Sequence, residues 1–179
     1  MRNRFLILSV VMATLFACSS DSMSTDDMNK PVGERATPIN IKISKVEGTY
    51  NFNPVQDCDE ATLTATGDGI VSHLGPSSLV EQWCFNGNIG ELGDVGDRTI
   101  TITAANGDLL EGTHTSVSYD PNIDPTVFVE EFNITGGTGR FANASGTFTE
   151  YVQIFPEGPG LSPGTFTLSG EGTLIYNTK

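Results

Sequence analysis

From Pro38 onward, apolar residues recur at every second position and never at the i, i+3, i+4, i+7 spacing of a helix. Eight runs carry this alternation: INIKISKV (39–46), ATLTATGDGIVSHLG (61–75), SLVEQWCFN (78–86), RTITITA (98–104), DLLEGTHTSVSY (108–119), TVFVEEFNI (126–134), GTFTEYVQIF (146–155) and GTFTLSGEGTLIY (164–176). Each reads as a strand with one face toward a core. Turn chemistry separates them. Asn106-Gly107 within ANGD predicts a type I′ hairpin, which needs positive φ at both central residues. DPNIDP and PEGPGLSPG cannot continue a ladder, because their prolines lack the N–H. Sequential hairpins of this kind predict an all-β domain over residues 39–179, an antiparallel barrel or sandwich of about eight strands.

The stretch ITGGTGRFANASGTFT (134–149) contains GTGRFA, a literal fit to the dinucleotide pattern G-x-G-x-x-G/A. That pattern holds a pyrophosphate only where a helix N-terminus follows, and here an alternating strand follows instead. The segment therefore reads as a structural corner. Gly136, Gly137 and Gly139 supply positive φ and close backbone approach, Phe141 plugs the core, and Arg140 pairs with a nearby carboxylate.

Together with GDGIVSHLGPSS (67–78) and AANGD (104–108), in that order, this corner resembles the allene oxide cyclase-like barrel superfamily, to which plant dirigent proteins are also similar. The resemblance spans residues 61–176. It implies an eight-stranded antiparallel barrel around a mostly apolar cavity. It carries over no catalytic residue, because the motif marks a turn and not reacting groups.

The N-terminal residues differ in kind. MRNRFLILSVVMATLFACSS has two arginines, an apolar run from Phe5 to Phe16, then Ala17 and Cys18, the layout of a secretory signal. LFAC resembles a bacterial lipobox. By that resemblance, residues 1–17 are a lipoprotein signal peptide, Cys18 is the lipid attachment site, and Ser19 behind it favours the outer membrane. Residues 18–38 are polar and acidic and read as a flexible, disordered tether. The expected location is the bacterial cell envelope, with the membrane engaged through lipidated Cys18.

The chain carries a formal charge of −13, and loss of Arg2 and Arg4 with the signal makes it more negative. Such a surface repels phosphate backbones, so no nucleic-acid partner is expected. With Cys18 lipidated, Cys58 and Cys84 remain as an even pair in an oxidising compartment, and a disulfide is favoured over two free buried thiols.

Candidate chemistry is sparse. Alternation puts Phe128, Glu130, Phe132 and Ile134 on one strand face, and Phe148, Glu150, Val152 and Ile154 on one face of the next. A turn centred near Arg140 sets Glu130 opposite Glu150. Two acids opposed on an aromatic face are candidate cavity carboxylates that raise a pKa or share a proton or a cation. A bulge at Glu130-Glu131 that turns one acid to solvent is the competing reading. Asp120, Asn122, Asp124 and Glu131 fit the spacing of a calcium loop, but Pro125 stands where glycine is needed, so the segment reads as an acidic turn. His73 and His114 are each placed on a strand, and two histidines without a third ligand make a weak zinc case. No metal and no cofactor is expected.

These observations predict a non-enzymatic envelope lipoprotein whose barrel binds a small apolar molecule or presents loops to a partner. The alternative is an isomerase or cyclase resembling the plant barrels, with Glu130 or Glu150 handling a proton. An apolar cavity with one of these acids pointing inward favours the alternative.

Overall fold

The computed structural model describes residues 37–53, 61–85, 98–119, 127–160 and 162–176. The expected signal peptide, Cys18, most of the tether, Cys58, Asp120, Asn122 and Asp124 lie outside the described residues. The strands are β1 (Ile39–Asn53), β2 (Ala61–Val71), β3 (Gly75–Phe85), β4 (Thr99–Thr103), β5 (Leu109–Tyr119), β6 (Val127–Gly137), β7 (Ser145–Pro156) and β8 (Gly164–Ile175). Each pairs antiparallel with its neighbour in the chain, and β8 pairs back onto β1, so the sheet closes into a barrel. Every strand thus has a neighbour on both sides, although the short β4 pairs only with Ser78–Gln82 of β3 and Leu109–Thr113 of β5. A short 3-10 turn, Gly139–Phe141, lies between β6 and β7.

Side-chain parity decides what fills the interior. In β6 the residues Phe128, Glu130, Phe132 and Ile134 are buried while those between them are not. In β1 the parity breaks: Ile41, Ile43 and Val46 are buried, and Ser44 and Lys45 both face out. The registers with β2 and β8 slip at the same place. Strict alternation would turn Lys45 inward. The extra residue of the bulge restores the phase, so Val46 and Tyr50 return to the core.

Because the strands alternate in direction, connections alternate between the two ends. One end holds the β2–β3 turn, the β4–β5 hairpin and the glycine-rich corner, and it is closed by Leu74, Ala104, Phe141, Ala144 and Tyr176, all buried. The Phe141 and Tyr176 rings lie 5.1 Å apart.

Arg140 ties this end together. Its Nη2 donates to the His73 carbonyl at 2.7 Å, its backbone N–H donates to Asp108 Oδ2 at 3.3 Å, and its guanidinium carbon lies 4.7 Å from the centre of the Phe141 ring. The carboxylate expected beside Arg140 is therefore Asp108. Its pKa is lowered, first by the Asn106 amide that donates to it and then by the Arg140 backbone N–H and charge. The three quoted sequence segments thus meet at one end of the barrel. Gly139 is required there: φ is +53°, and a Cβ would stand 1.9 Å from an Asp108 carboxylate oxygen.

Two local expectations are corrected. His73 lies in the β2–β3 turn, not on a strand, with φ of +65°, so the run expected over 61–75 is interrupted after Val71. The turn at Asn106-Gly107 is not type I′. Only Gly107 of the two has positive φ, at +86°, and its N–H donates to Ala104 O while Ala104 N–H donates to Asp108 O. This is a type I turn followed by a left-handed glycine, the geometry of a three-residue hairpin loop. Asn106 Oδ1 accepts from Asp108 N–H within the same loop.

Candidate functional site

Midway along the barrel, five charged or titratable side chains point inward: Glu81 from β3, Arg98 just before β4, His114 from β5, Glu130 from β6 and Glu150 from β7. All are buried, and Glu150 is 0 % exposed. The expected register holds, with Glu130 directly opposite Glu150. The bulge that could have turned Glu130 outward lies on the partner strand instead. In β5 the pairing steps from His114 opposite Phe132 to Ser116 opposite Glu131, which leaves Thr115 as the extra residue. Glu130 keeps its inward phase, while exposed Glu131 accepts a hydrogen bond from Ser116 Oγ at 2.9 Å. On its other side Glu150 faces Gly170, where a Cβ would crowd the Thr149 carbonyl at 2.7 Å and the Glu150 Cβ at 3.3 Å.

Arg98 is the positive centre of this belt. Its Nη2 donates to Glu81 Oε2 at 2.7 Å and also contacts Glu130 Oε2. Its guanidinium carbon stands 3.8 Å from the centre of the Trp83 ring, and such stacking adds to the hold on a desolvated cation. Burial opposes the charge on Arg98, but Glu130, Glu81 and Glu150 outweigh it and raise the pKa, so the guanidinium stays charged. Burial raises the Glu130 pKa; Arg98 pulls it down and Glu81 pushes it up further. Glu150 is raised well above the usual carboxyl range by burial, then by the charges of Glu81 and Glu130, and Arg98 only partly opposes this. No donor reaches either Glu150 oxygen.

His114 packs edge-on against Phe132 at 5.0 Å, and Phe132 in turn stacks on Phe148 at 5.1 Å. Burial, and then Arg98, lower the His114 pKa to about 3, so the imidazole is neutral near pH 7. The 3.9 Å approach of its Nε2 to Glu130 Oε2 is therefore no ion pair. Neither ring nitrogen has a hydrogen-bond partner. Oxygens of Glu81, Glu130 and Glu150 lie within 4.8 Å of one another, the arrangement from which a cation could be held.

Between this belt and the far end of the barrel lies a half-enclosed cavity of about 90 Å³. Its walls are almost wholly apolar, with Tyr50, Phe52, Leu63, Trp83, Phe128 and Phe166 among them, and Glu81, Arg98 and Glu130 supply its polar floor. The β7–β8 connection contributes Gly160 and Ser162 to the same cavity. Residues 54–60, 86–97 and 120–126 fall outside the described residues. The cavity and the glycine-rich corner are thus at opposite ends, and Gly136, Gly137, Gly139, Arg140 and Phe141 take no part in lining it.

Of the residues singled out in the sequence, Glu130 and Glu150 come together, and Glu130 alone of the two lines the cavity. Cys84 is disulfide-bonded, with its partner outside the described residues. Glu81, Arg98 and the role of His114 were not read from the sequence. A signal was present: each sits in phase with buried apolar neighbours, Glu81 with Leu79, Arg98 with Ile100 and Ile102, His114 with Leu110. A charged residue in that phase is a buried charge, and buried charges come in groups. Searches against known protein families, characterised proteins and solved structures return no match.

Proposed function

We propose that the protein is a lipid-anchored barrel of the bacterial envelope that takes a small, mostly apolar molecule into the cavity above the Arg98 belt. The observation that carries this reading is the half-enclosed apolar cavity with a charged floor. Apolar walls with a few convergent polar groups are the usual composition of a small-molecule site. The aromatic walls exclude water from the ligand's body, and the Arg98, Glu81 and Glu130 groups orient its polar end. The resemblance to the allene oxide cyclase-like superfamily, with its cavity-bearing barrels, supports the same reading, as does an anchor at Cys18 that leaves the barrel free in the envelope.

Native mass spectrometry of the protein purified from its own envelope tests this. A retained lipophilic mass is expected, and it should be lost in Ala65→Trp, which fills the cavity from a wall position that is 5 % exposed. Absence of any retained mass, together with equal uptake of a lipophilic fluorescent probe by wild type and Ala65→Trp, would overturn it.

A second reading, an isomerase or cyclase, is favoured by one observation: the Glu130 carboxyl is part of the cavity floor, where it can exchange a proton with an apolar substrate. Turnover of the retained compound by wild type that is lost in Glu130→Gln supports it. Equal turnover in both, or none in either, removes it.

A further inference from the structure

Counted as ions, the described residues of the belt set three carboxylates against one guanidinium, an excess of two negative charges among buried side chains. Such an excess is relieved by retained protons or by a bound cation, which displaces those protons. Arg98 uses Glu81 Oε2 and leaves Glu81 Oε1 and both Glu150 oxygens without any donor. Next to them stands a fourth group of a different kind. The His114 side chain is 2 % exposed, both its nitrogens are unpartnered, and its Nε2 is 3.9 Å from the Glu130 carboxylate.

We infer that Glu81, Glu130, Glu150 and His114 form a binding site for one divalent metal ion, of the Mn²⁺ or Zn²⁺ kind. The carboxylate oxygens already lie within 4.8 Å of one another. Ligands bonded to a common Zn²⁺ at about 2.0–2.2 Å are at most about 4.4 Å apart, so small side-chain rotations bring the three carboxylates onto an ion, and His114 joins from its place beside Glu130. One divalent cation also brings the charge count of the belt to zero. The imidazole selects for Mn²⁺ or Zn²⁺ over Ca²⁺ and Mg²⁺, whose coordination is all oxygen. Arg98, bonded to two of the carboxylates, orients them from outside the coordination sphere. Because Glu81 and Glu130 line the cavity, the ion has a coordination position open to whatever the cavity holds. The site does not depend on which molecule that is, or on whether one binds.

The test uses the full mature chain in detergent, stripped with a chelator and titrated calorimetrically with Zn²⁺ and with Mn²⁺. One ion per chain is expected to bind to wild type. Glu150→Gln keeps the side-chain volume and removes a buried ligand, and His114→Gln removes the imidazole; each is expected to weaken binding by about 10- to 100-fold or more. Circular dichroism melts confirm that both variants fold. Glu131→Gln, on the outer face beside the site, reports binding to the acidic surface and is expected to behave as wild type. Failure of wild type to bind either ion at millimolar concentration would overturn the inference. So would unweakened binding in Glu150→Gln, which would place the ion on the surface. Neither result bears on the retained lipophilic mass, so this inference and the proposed function fail separately.

Discussion

Replacing Arg98 with Met removes the one positive charge from the belt while keeping most of the volume of its stem. Arg98 Nη2 lies 2.7 Å from Glu81 Oε2, and the two side chains are 7 % and 3 % exposed. At an effective dielectric of about 20, one such pair attracts by roughly 6 kcal/mol, most of which only offsets the desolvation of the ions. Removing one partner does not refund that desolvation; it strands the carboxylates, at a cost of about 3–5 kcal/mol. Loss of the stack on Trp83 adds about 0.5–2 kcal/mol.

The protein supplies its own control. Lys45 and Glu47 also approach to 2.7 Å, but their side chains are 62 % and 64 % exposed. Lys45→Met is therefore expected to cost only about 0–1 kcal/mol. Urea unfolding of chelated protein, followed by the fluorescence of the sole tryptophan, Trp83, measures both. If Arg98→Met falls within about 1 kcal/mol of wild type, or matches Lys45→Met, then Arg98 is not the counter-charge of the interior and the account of the belt is wrong.

Three further outcomes are expected. Gly137→Ala places a Cβ 1.9 Å from the Leu109 carbonyl at φ of +149°, whereas Gly107→Ala has positive φ and nothing within 4 Å. The second should cost about 1–2 kcal/mol for backbone strain, and the first about 1–3 kcal/mol more for forcing β5 and β6 apart; equal shifts in urea midpoint would deny the close approach. The Asp108 carboxyl should titrate below its usual value by NMR and move back up most in Asn106→Ala and less in Arg140→Gln. Because its folded pKa is depressed, its stabilisation is present at neutral pH and lost as the pH falls through that value, so Asn106→Ala should show a shallower decline in stability at the acid end. Cys18→Ala should release the protein from membranes to the soluble envelope fraction, and unchanged fractionation would remove the lipid anchor from the proposal.

The period-two pattern, the Gly-rich corner and the register of one hairpin were legible in the sequence, because strand parity and short turns are local properties. Glu130 could be set opposite Glu150 from the turn near Arg140, since a hairpin register depends only on its own connection. The details that went astray were also local but finer. The place of a bulge at Thr115 and the conformation of the loop around Asn106 are choices that residue type alone does not make.

What only the tertiary structure decided is which inward residues meet. Glu81, Arg98 and His114 are separated from Glu130 in the chain by 49, 32 and 16 positions, and nothing in their local sequence brings them to one level of the barrel. That level is set by the stagger of eight strands once β8 has paired with β1, a property of the closed sheet and of no single strand. The alternation of LVEQW and RTITI determined that Glu81 and Arg98 would face inward with Leu79 and Ile100. Closure determined that they would face each other, and burial then did the rest: desolvation and the neighbouring carboxylates raise the pKa values of Glu130 and Glu150 against the pull of the one guanidinium, and the same groups give the cavity its polar floor.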